Sequence, residues 1–429
     1  MRLTPFSWRP RKCYKKSVTK AWILALLAVT LGAGADDQQA ALERKAKSAF
    51  DRAMLSAQPQ LGQTIECVQD QAALLPVASR DETPLVYYRK GYCALMAAAL
   101  SENAAGFLDA AAAFDQAVST WPGRVKPVKG VAPETGPSVL MALSGIARLE
   151  AGAEDGGTSD DMAVGAARNT CSRELMTAEL CQAVFRSGRE WLGWMALRHD
   201  GVEEAARYLA DQPDSFWTHW AKGKRAFAEG RFRDAAIEYG ASLELWRNRQ
   251  ARWRSDWMAR LGPQPRMGAA LTDLGGARLL AGETAAAIST LDAALDAEPR
   301  NARACYLRAR AKEQAGQAEA ASADYGLAVR TAFAGAADLV SGEAHLYRGI
   351  LLYRRKDFSR AEDEFASALS AGISADMRAD AVAWRHMAAV AGGACSVSLG
   401  LLGESLASVS PYFPKADARS LAASCPGAL

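Results

Sequence analysis

Histidine is scarce in this chain. Only four occur in 429 residues (His199, His219, His345, His386), with no H-E-x-x-H pattern, no pair at metal-ligand spacing and no zinc-type cysteine pair nearby. A phosphate loop and a dinucleotide fingerprint are also missing, since Gly223-Lys224 lacks both the second glycine and the Ser or Thr that such a loop requires. Gly403-Glu404-Ser405-Leu406-Ala407 comes nearest to a nucleophile elbow, but its final glycine is absent and no strand pattern precedes it. Long apolar runs are equally rare. Beyond residues 21–35 no stretch approaches the 18 or so uninterrupted apolar residues of a membrane span. These absences lead to the expectation of a non-catalytic protein without metal or cofactor.

Charge is unevenly placed. Seven basic residues (Arg2, Arg9, Arg11, Lys12, Lys15, Lys16, Lys20) and no acids occupy the first 35 positions, although the whole chain carries a formal charge of only +3. Without them 44 basic residues face 48 acidic ones, a net charge of −4. That balance disfavours nucleic acid as a partner. The basic opening runs into AWILALLAVTLGAGA and then ADDQQA, the layout of a secretory signal, with small residues Ala33 and Ala35 ahead of a cut before Asp36. Residues 1–35 are therefore expected to be a signal peptide or, if uncleaved, a signal anchor that is the chain's one link to a membrane. Either way the rest is exported, to the periplasm or beyond, and the style of the signal points to a bacterial cell envelope.

Seven cysteines follow the signal, an odd number for an oxidising compartment. Candidate disulfides are Cys67 with Cys93 across a helix turn, Cys171 with Cys181 around a short loop and helix, and Cys395 with Cys425 across the tail. The competing expectation is that all are small buried hydrophobes.

What the chain does have is a repeat. Ala235-x3-Tyr239-x2-Ser242, Ala287-x3-Leu291-x2-Ala294, Ala321-x3-Tyr325-x2-Ala328 and Ala361-x3-Phe365-x2-Ala368 share one pattern. Twelve residues before each leading alanine stands a small residue, Gly223, Gly275, Ala309 or Gly349; five before it stand Gly230, Gly282, Gly316 and Lys356. The middle two units are 34 residues apart, the period of a helix-turn-helix unit. Small residues let two helices of a hairpin approach, glycine ends the first helix, and the large residue fills the gap to the next hairpin. In this the chain resembles the tetratricopeptide repeat (TPR) family, strongly from Ser215 to Gly372. Upstream, Ala110-x3-Phe114-x2-Ala117 and Trp191-Leu192-Gly193 with Ala205-x3-Leu209 resemble degenerate units.

The expected fold is therefore all-α, a right-handed solenoid of antiparallel helix hairpins. An N-terminal helical region (36–135) and a second one (136–213, with a loop at 151–170) each hold a degenerate unit; the array fills 214–375 and a helical cap 376–429. The resemblance implies a scaffold that binds a protein or peptide, and that the first helix of each hairpin lines the concave surface. Trp217, Trp220, Lys224 and Phe227 share one face of such a helix, Arg303, Tyr306 and Arg310 another, and Leu346, Ile350 and Tyr353 with Arg354 a third. These residues are the candidate groove, aromatic with a basic rim and suited to a segment bearing acidic side chains. The alternative for Trp217 and Trp220 is packing against the preceding hairpin. The family's carboxylate clamp is not carried over, because its positions hold Trp220, Lys224, Thr272 and Gly276. Alternatives to a free scaffold are a membrane-anchored structural subunit of an envelope complex or an enzyme of unknown type.

Overall fold

The computed structural model describes residues 35–55, 60–122, 136–151, 178–253, 256–332, 339–394 and most of 402–424. Residues 1–34, 123–135 and 152–177 lie outside that set, as do Cys395 and Cys425, so the expected signal and the pairings expected for Cys171 and Cys395 fall outside the described residues. The described residues form seventeen α-helices and one 3-10 turn, with no strand among them. They divide between two compact units, Met1–Trp191 with Gln250–Gly262, and Leu192–Arg249 with Pro263–Leu429.

The first unit is built from α1 (Ala35–Leu55), α2 (Leu61–Leu74), α3 (Thr83–Ser101), α4 (Ala104–Ser119), α5 (Gly136–Glu150) and the start of α6 (Ala178–Arg198), each of α1 to α4 packing on the next. Leu95, Met96, Phe114, Leu140, Leu143 and Ile146 fill its core. Asn103 caps α4 by accepting from the Ala105 amide at 3.1 Å, satisfying one of the orphan N–H groups of a helix start. Ala110, Phe114 and Ala117 are all fully buried, as the weak upstream repeat requires, and their partner is Gly91: a methyl there would stand 2.8 Å from the Phe114 ring. The insertion after the long helix ending at Ala251 is more than a loop. It carries a 3-10 turn (Trp257–Arg260), and its Leu261 is buried in the first unit's core. There the Arg260 guanidinium donates to the Leu100 carbonyl at 3.1 Å, near the open C-terminal end of α3, and Arg186 donates to the Met258 carbonyl at 2.6 Å.

The second unit continues with α7 (Val202–Tyr208), α8 (Phe216–Ala228), α9 (Phe232–Ala251), α10 (Met267–Leu280), α11 (Thr284–Ala297), α12 (Ala302–Gln314), α13 (Ala318–Thr331), α14 (Leu339–Arg354), α15 (Phe358–Ala371), α16 (Ala375–Ala391) and α17 (Lys415–Ala423). From α10 to α16 each helix packs on the next, and α10, α12, α14 and α16 also touch in series, so hairpins stack with their first helices side by side. The contact that repeats is a glycine facing a large side chain sixteen residues on. A methyl on Gly193 would lie 2.6 Å from Leu209, on Gly223 2.5 Å from Tyr239, on Gly275 2.5 Å from Leu291 and on Gly349 2.6 Å from Phe365. Among these Gly193 belongs to the degenerate unit, whose Ala205 is fully buried. The unit thus holds a stack of hairpins in one register, an all-α solenoid.

Each hairpin turns on a left-handed residue five before the leading alanine: Asp200 (φ 57°), Gly230 (75°), Gly282 (82°), Gly316 (76°) and Lys356 (65°). The amide after it bonds back to the helix it ends, as in Arg231 N to Ala226 O at 2.8 Å and Asp357 N to Leu352 O at 3.0 Å. Lys356 therefore holds a conformation that costs a residue with a Cβ about 1–2 kcal/mol. Glycine there removes that strain and returns part of it as greater freedom of the unfolded chain, for a net gain of about 0.5 kcal/mol. Lys356→Gly is expected to raise the urea midpoint slightly, whereas Gly282→Ala should lower it by the equivalent of about 1 kcal/mol.

Candidate functional site

The stripe on α8 is mostly interior. Trp217 and Trp220 are 5% and 7% exposed; the Trp217 indole donates to the Pro263 carbonyl at 3.1 Å, and Trp220 stacks on Phe216 (5.3 Å between centroids) and leans on Tyr239 (4.6 Å). They are interior residues, packed within their own hairpin and against Pro263 rather than exposed on a groove. Phe227 sets its ring against Phe232 at 5.3 Å in the turn of the same hairpin. Arg303 is committed to Asp273 at 2.9 Å. Burial holds the Asp273 carboxyl above its ordinary range, while the charges of Arg303 and Lys224 oppose that rise. Arg303 is thus ion-paired with a half-buried acid that also feels the charge of Lys224.

The remaining candidates meet at the other end of the array. A groove of about 1230 Å³ is lined by Arg310 of α12, Leu346, Tyr347, Ile350, Tyr353 and Arg354 of α14, Met377, Asp380, Trp384 and Met387 of α16, and Phe413 and α17 of the tail. Five side chains of the sequence-derived set line it directly: Arg310, Leu346, Ile350, Tyr353 and Arg354. Tyr306 supports it from below, buried, with its hydroxyl 3.4 Å from the Arg310 guanidinium. The groove residues that sequence reasoning missed are Tyr347, Lys356, Phe358, Met377, Asp380, Trp384, Met387 and the tail. Trp384 joins Tyr353 (5.3 Å), Phe365 (6.0 Å) and Phe413 (5.2 Å), tying the tail to the last hairpin. Val409, Phe413 and Ala418 are buried against Met387 and Val390, so the tail covers that face of α16.

The electrostatics of the groove are selective. The Arg310 guanidinium lies over the Tyr347 ring, 3.8 Å from its centroid, and no carboxylate pairs with it among the described residues. Arg354, by contrast, is paired with Glu313 at 3.1 Å. Asp380 accepts from the Ser410 amide and hydroxyl at 2.7 and 2.6 Å, which pins the tail. Burial pushes the Tyr353 phenol up, and the Asp417 carboxylate adds to that.

Other chemistry is already engaged. His219 Nδ1 sits 2.7 Å from Glu238 and His345 Nδ1 2.8 Å from Glu364, each pair nineteen residues apart and in the same repeat position. Among the described residues no group of three or more His, Cys, Asp or Glu side chains is placed to hold a metal ion, and no described helix is long and apolar enough to cross a membrane. Cys67 and Cys93 form a disulfide joining α2 to α3, with Cα atoms 6.0 Å apart. Cys181 is also disulfide-bonded, its expected partner Cys171 lying outside the described residues, and Cys305 is a buried free thiol.

The glycine register, the left-handed turns and the serial contact of first helices decide the architecture. The second unit is a TPR-like hairpin stack. No family model and no curated protein matches it. Solved structures similar to parts of it include the crystal structure of MamA (19% identity over 42% of this chain and 94% of that one, TM-score 0.32) and a MamA RS-1 double mutant (20%, 46% and 96%, 0.33). The C-terminal part of a TPR repeat-containing protein from Cytophaga hutchinsonii is another (14%, 76% and 94%, 0.28). The TPR-like description of the array rests on its own internal geometry rather than on these partial likenesses.

Proposed function

We propose that this protein is a non-catalytic binding scaffold, exported by its N-terminal segment, and that it takes a segment of a partner protein in the groove between α12, α14, α16 and the tail. One observation carries the reading: a large apolar groove on the side-by-side first helices contains a guanidinium, Arg310, already oriented by Tyr347 and Tyr306 and unpaired with any described carboxylate. Aromatic walls supply contact area at low entropic cost, and a preorganised guanidinium grips a carboxylate in two-pronged fashion. The partner is thus a protein or peptide presenting an acidic side chain, with assembly in the cell envelope as the setting.

Capture from an envelope fraction with three baits tests this. Arg310→Glu should lose the partner that the unaltered protein retains, whereas Ile237→Lys, at a position 63% exposed on α9, should keep it. Equal retention by Arg310→Glu removes the groove from consideration. Arg303→Glu is expected to act differently, lowering stability because Asp273 would face a second carboxylate. Export has its own measurement: sequencing of the mature N-terminus should begin at Asp36, and a chain retaining residues 21–35 would be a membrane-anchored one.

A further inference from the structure

The groove has two electrically different sides. On the α12 side stands Arg310, without a carboxylate partner among the described residues. On the opposite side stand Asp380 of α16, held by Ser410, and the exposed Asp417 of α17; neither has a cation within ion-pair distance among the described residues. Between them Leu346, Tyr347 and Ile350 of α14 form an apolar floor. Of the two other cations in the lining, Arg354 is already neutralised by Glu313, and Lys356 sits at the α14–α15 turn, not on α16 or α17 where Asp380 and Asp417 stand. A purely acidic segment would satisfy one side and be repelled by the other.

We propose that the groove reads a mixed-charge segment of a partner protein: an acidic side chain at Arg310, apolar residues over Tyr347 and Ile350, and a basic side chain at Asp380 and Asp417. This rests on the groove being the binding surface. The spacing follows from the stack. α12, α14 and α16 are successive neighbours, each interaxial step being about 8–10 Å, so the two sides stand roughly 16–20 Å apart. An extended chain advances about 3.3 Å per residue, which places the acid and the base about five or six positions apart. The charges then set which way the segment lies across α14, a form of specificity that apolar contact alone does not supply.

A displayed random twelve-residue peptide library, selected against the full exported chain and its variants, tests both layers. Peptides enriched on the unaltered protein should carry an acidic and a basic residue about five apart with apolar residues between. On Arg310→Gln the acidic preference should vanish and those peptides bind about tenfold more weakly, the loss of one charge-assisted contact. On Asp417→Lys the basic preference should give way to an acidic one. Thermal melts check that each variant is folded. Enriched peptides that need no basic residue and ignore Asp417→Lys, yet are lost on Met377→Glu within the groove, would overturn the mixed-charge proposal and leave the groove standing. Enrichment indifferent to Met377→Glu and Arg310→Gln, or no enrichment at all, would overturn both.

Discussion

Asp324→Ala is expected to cost the second unit about 3 kcal/mol, more than any single truncation at the groove. Asp324 is 6% exposed and receives both arms of the Arg308 guanidinium at 2.7 Å, while Lys312 Nζ stands 2.7 Å from the same carboxylate. The two cations lie one helical turn apart on α12, with side chains only 16% and 17% exposed. Removing the carboxylate leaves them facing each other in a partly desolvated site. Asp292 of α11 can still pair with Arg308 at 2.7 Å, but it is half exposed and does not reach Lys312. The interaction also joins three helices of adjacent hairpins, α11, α12 and α13, so its loss weakens the stack and not one hairpin alone. A shift of that size in an array of this length lowers the melting temperature by roughly 6–12 °C. Combining Asp324→Ala with Lys312→Met should restore part of the loss, because the second change removes one orphaned charge. Full independence of the two changes in urea melts would show that the carboxylate is not paired as the structure has it.

The hairpin stack is legible in the sequence because the same steric problem recurs. Wherever Tyr239, Leu291 or Phe365 must lie across a first helix, only glycine leaves room beneath it, and the chain prints that glycine sixteen residues earlier. The left-handed turn is legible for the same reason at Gly230, Gly282 and Gly316, and Lys356 marks the position even without the preferred residue. The groove is less legible. Helical periodicity places Trp217 and Trp220 on one face of α8 but does not say that Phe216, Tyr239 and Pro263 cover it. Nor does it separate Arg303, neutralised by Asp273, from Arg310, left with a tyrosine ring. The tail was out of reach for a different reason. Residues 376–424 follow no repeat, so nothing in their order shows that Trp384 and Phe413 return to Tyr353.

Replacing Cys67 and Cys93 together by alanine is expected to destabilise the first unit by about 3.5 kcal/mol. The bond closes a loop of sequence separation 26. In the chain-entropy account a loop of that size, left open in the unfolded state, is worth about that much at 25 °C. Both residues are fully buried where α2 crosses α3, so truncation to alanine also removes packing beside Ala94 and Met96, and the two losses have the same sign. Hydrogen exchange resolved by segment separates this from a general loss of stability. Amides of α2 and α3 should exchange faster by more than a hundredfold, while those of α12 and α13 in the second unit keep their protection. A second consequence concerns access. Neither cysteine has exposed surface, so a mild reductant cannot reach the bond in the folded state and should open it only at the rate at which α2 and α3 separate. Reduction as fast as that of an exposed disulfide would mean that α2 does not hold its place on α3. Slow reduction together with the expected exchange pattern would make the bond a staple of the N-terminal helices, compatible with the exported setting proposed for the chain and costly to lose in a reducing one.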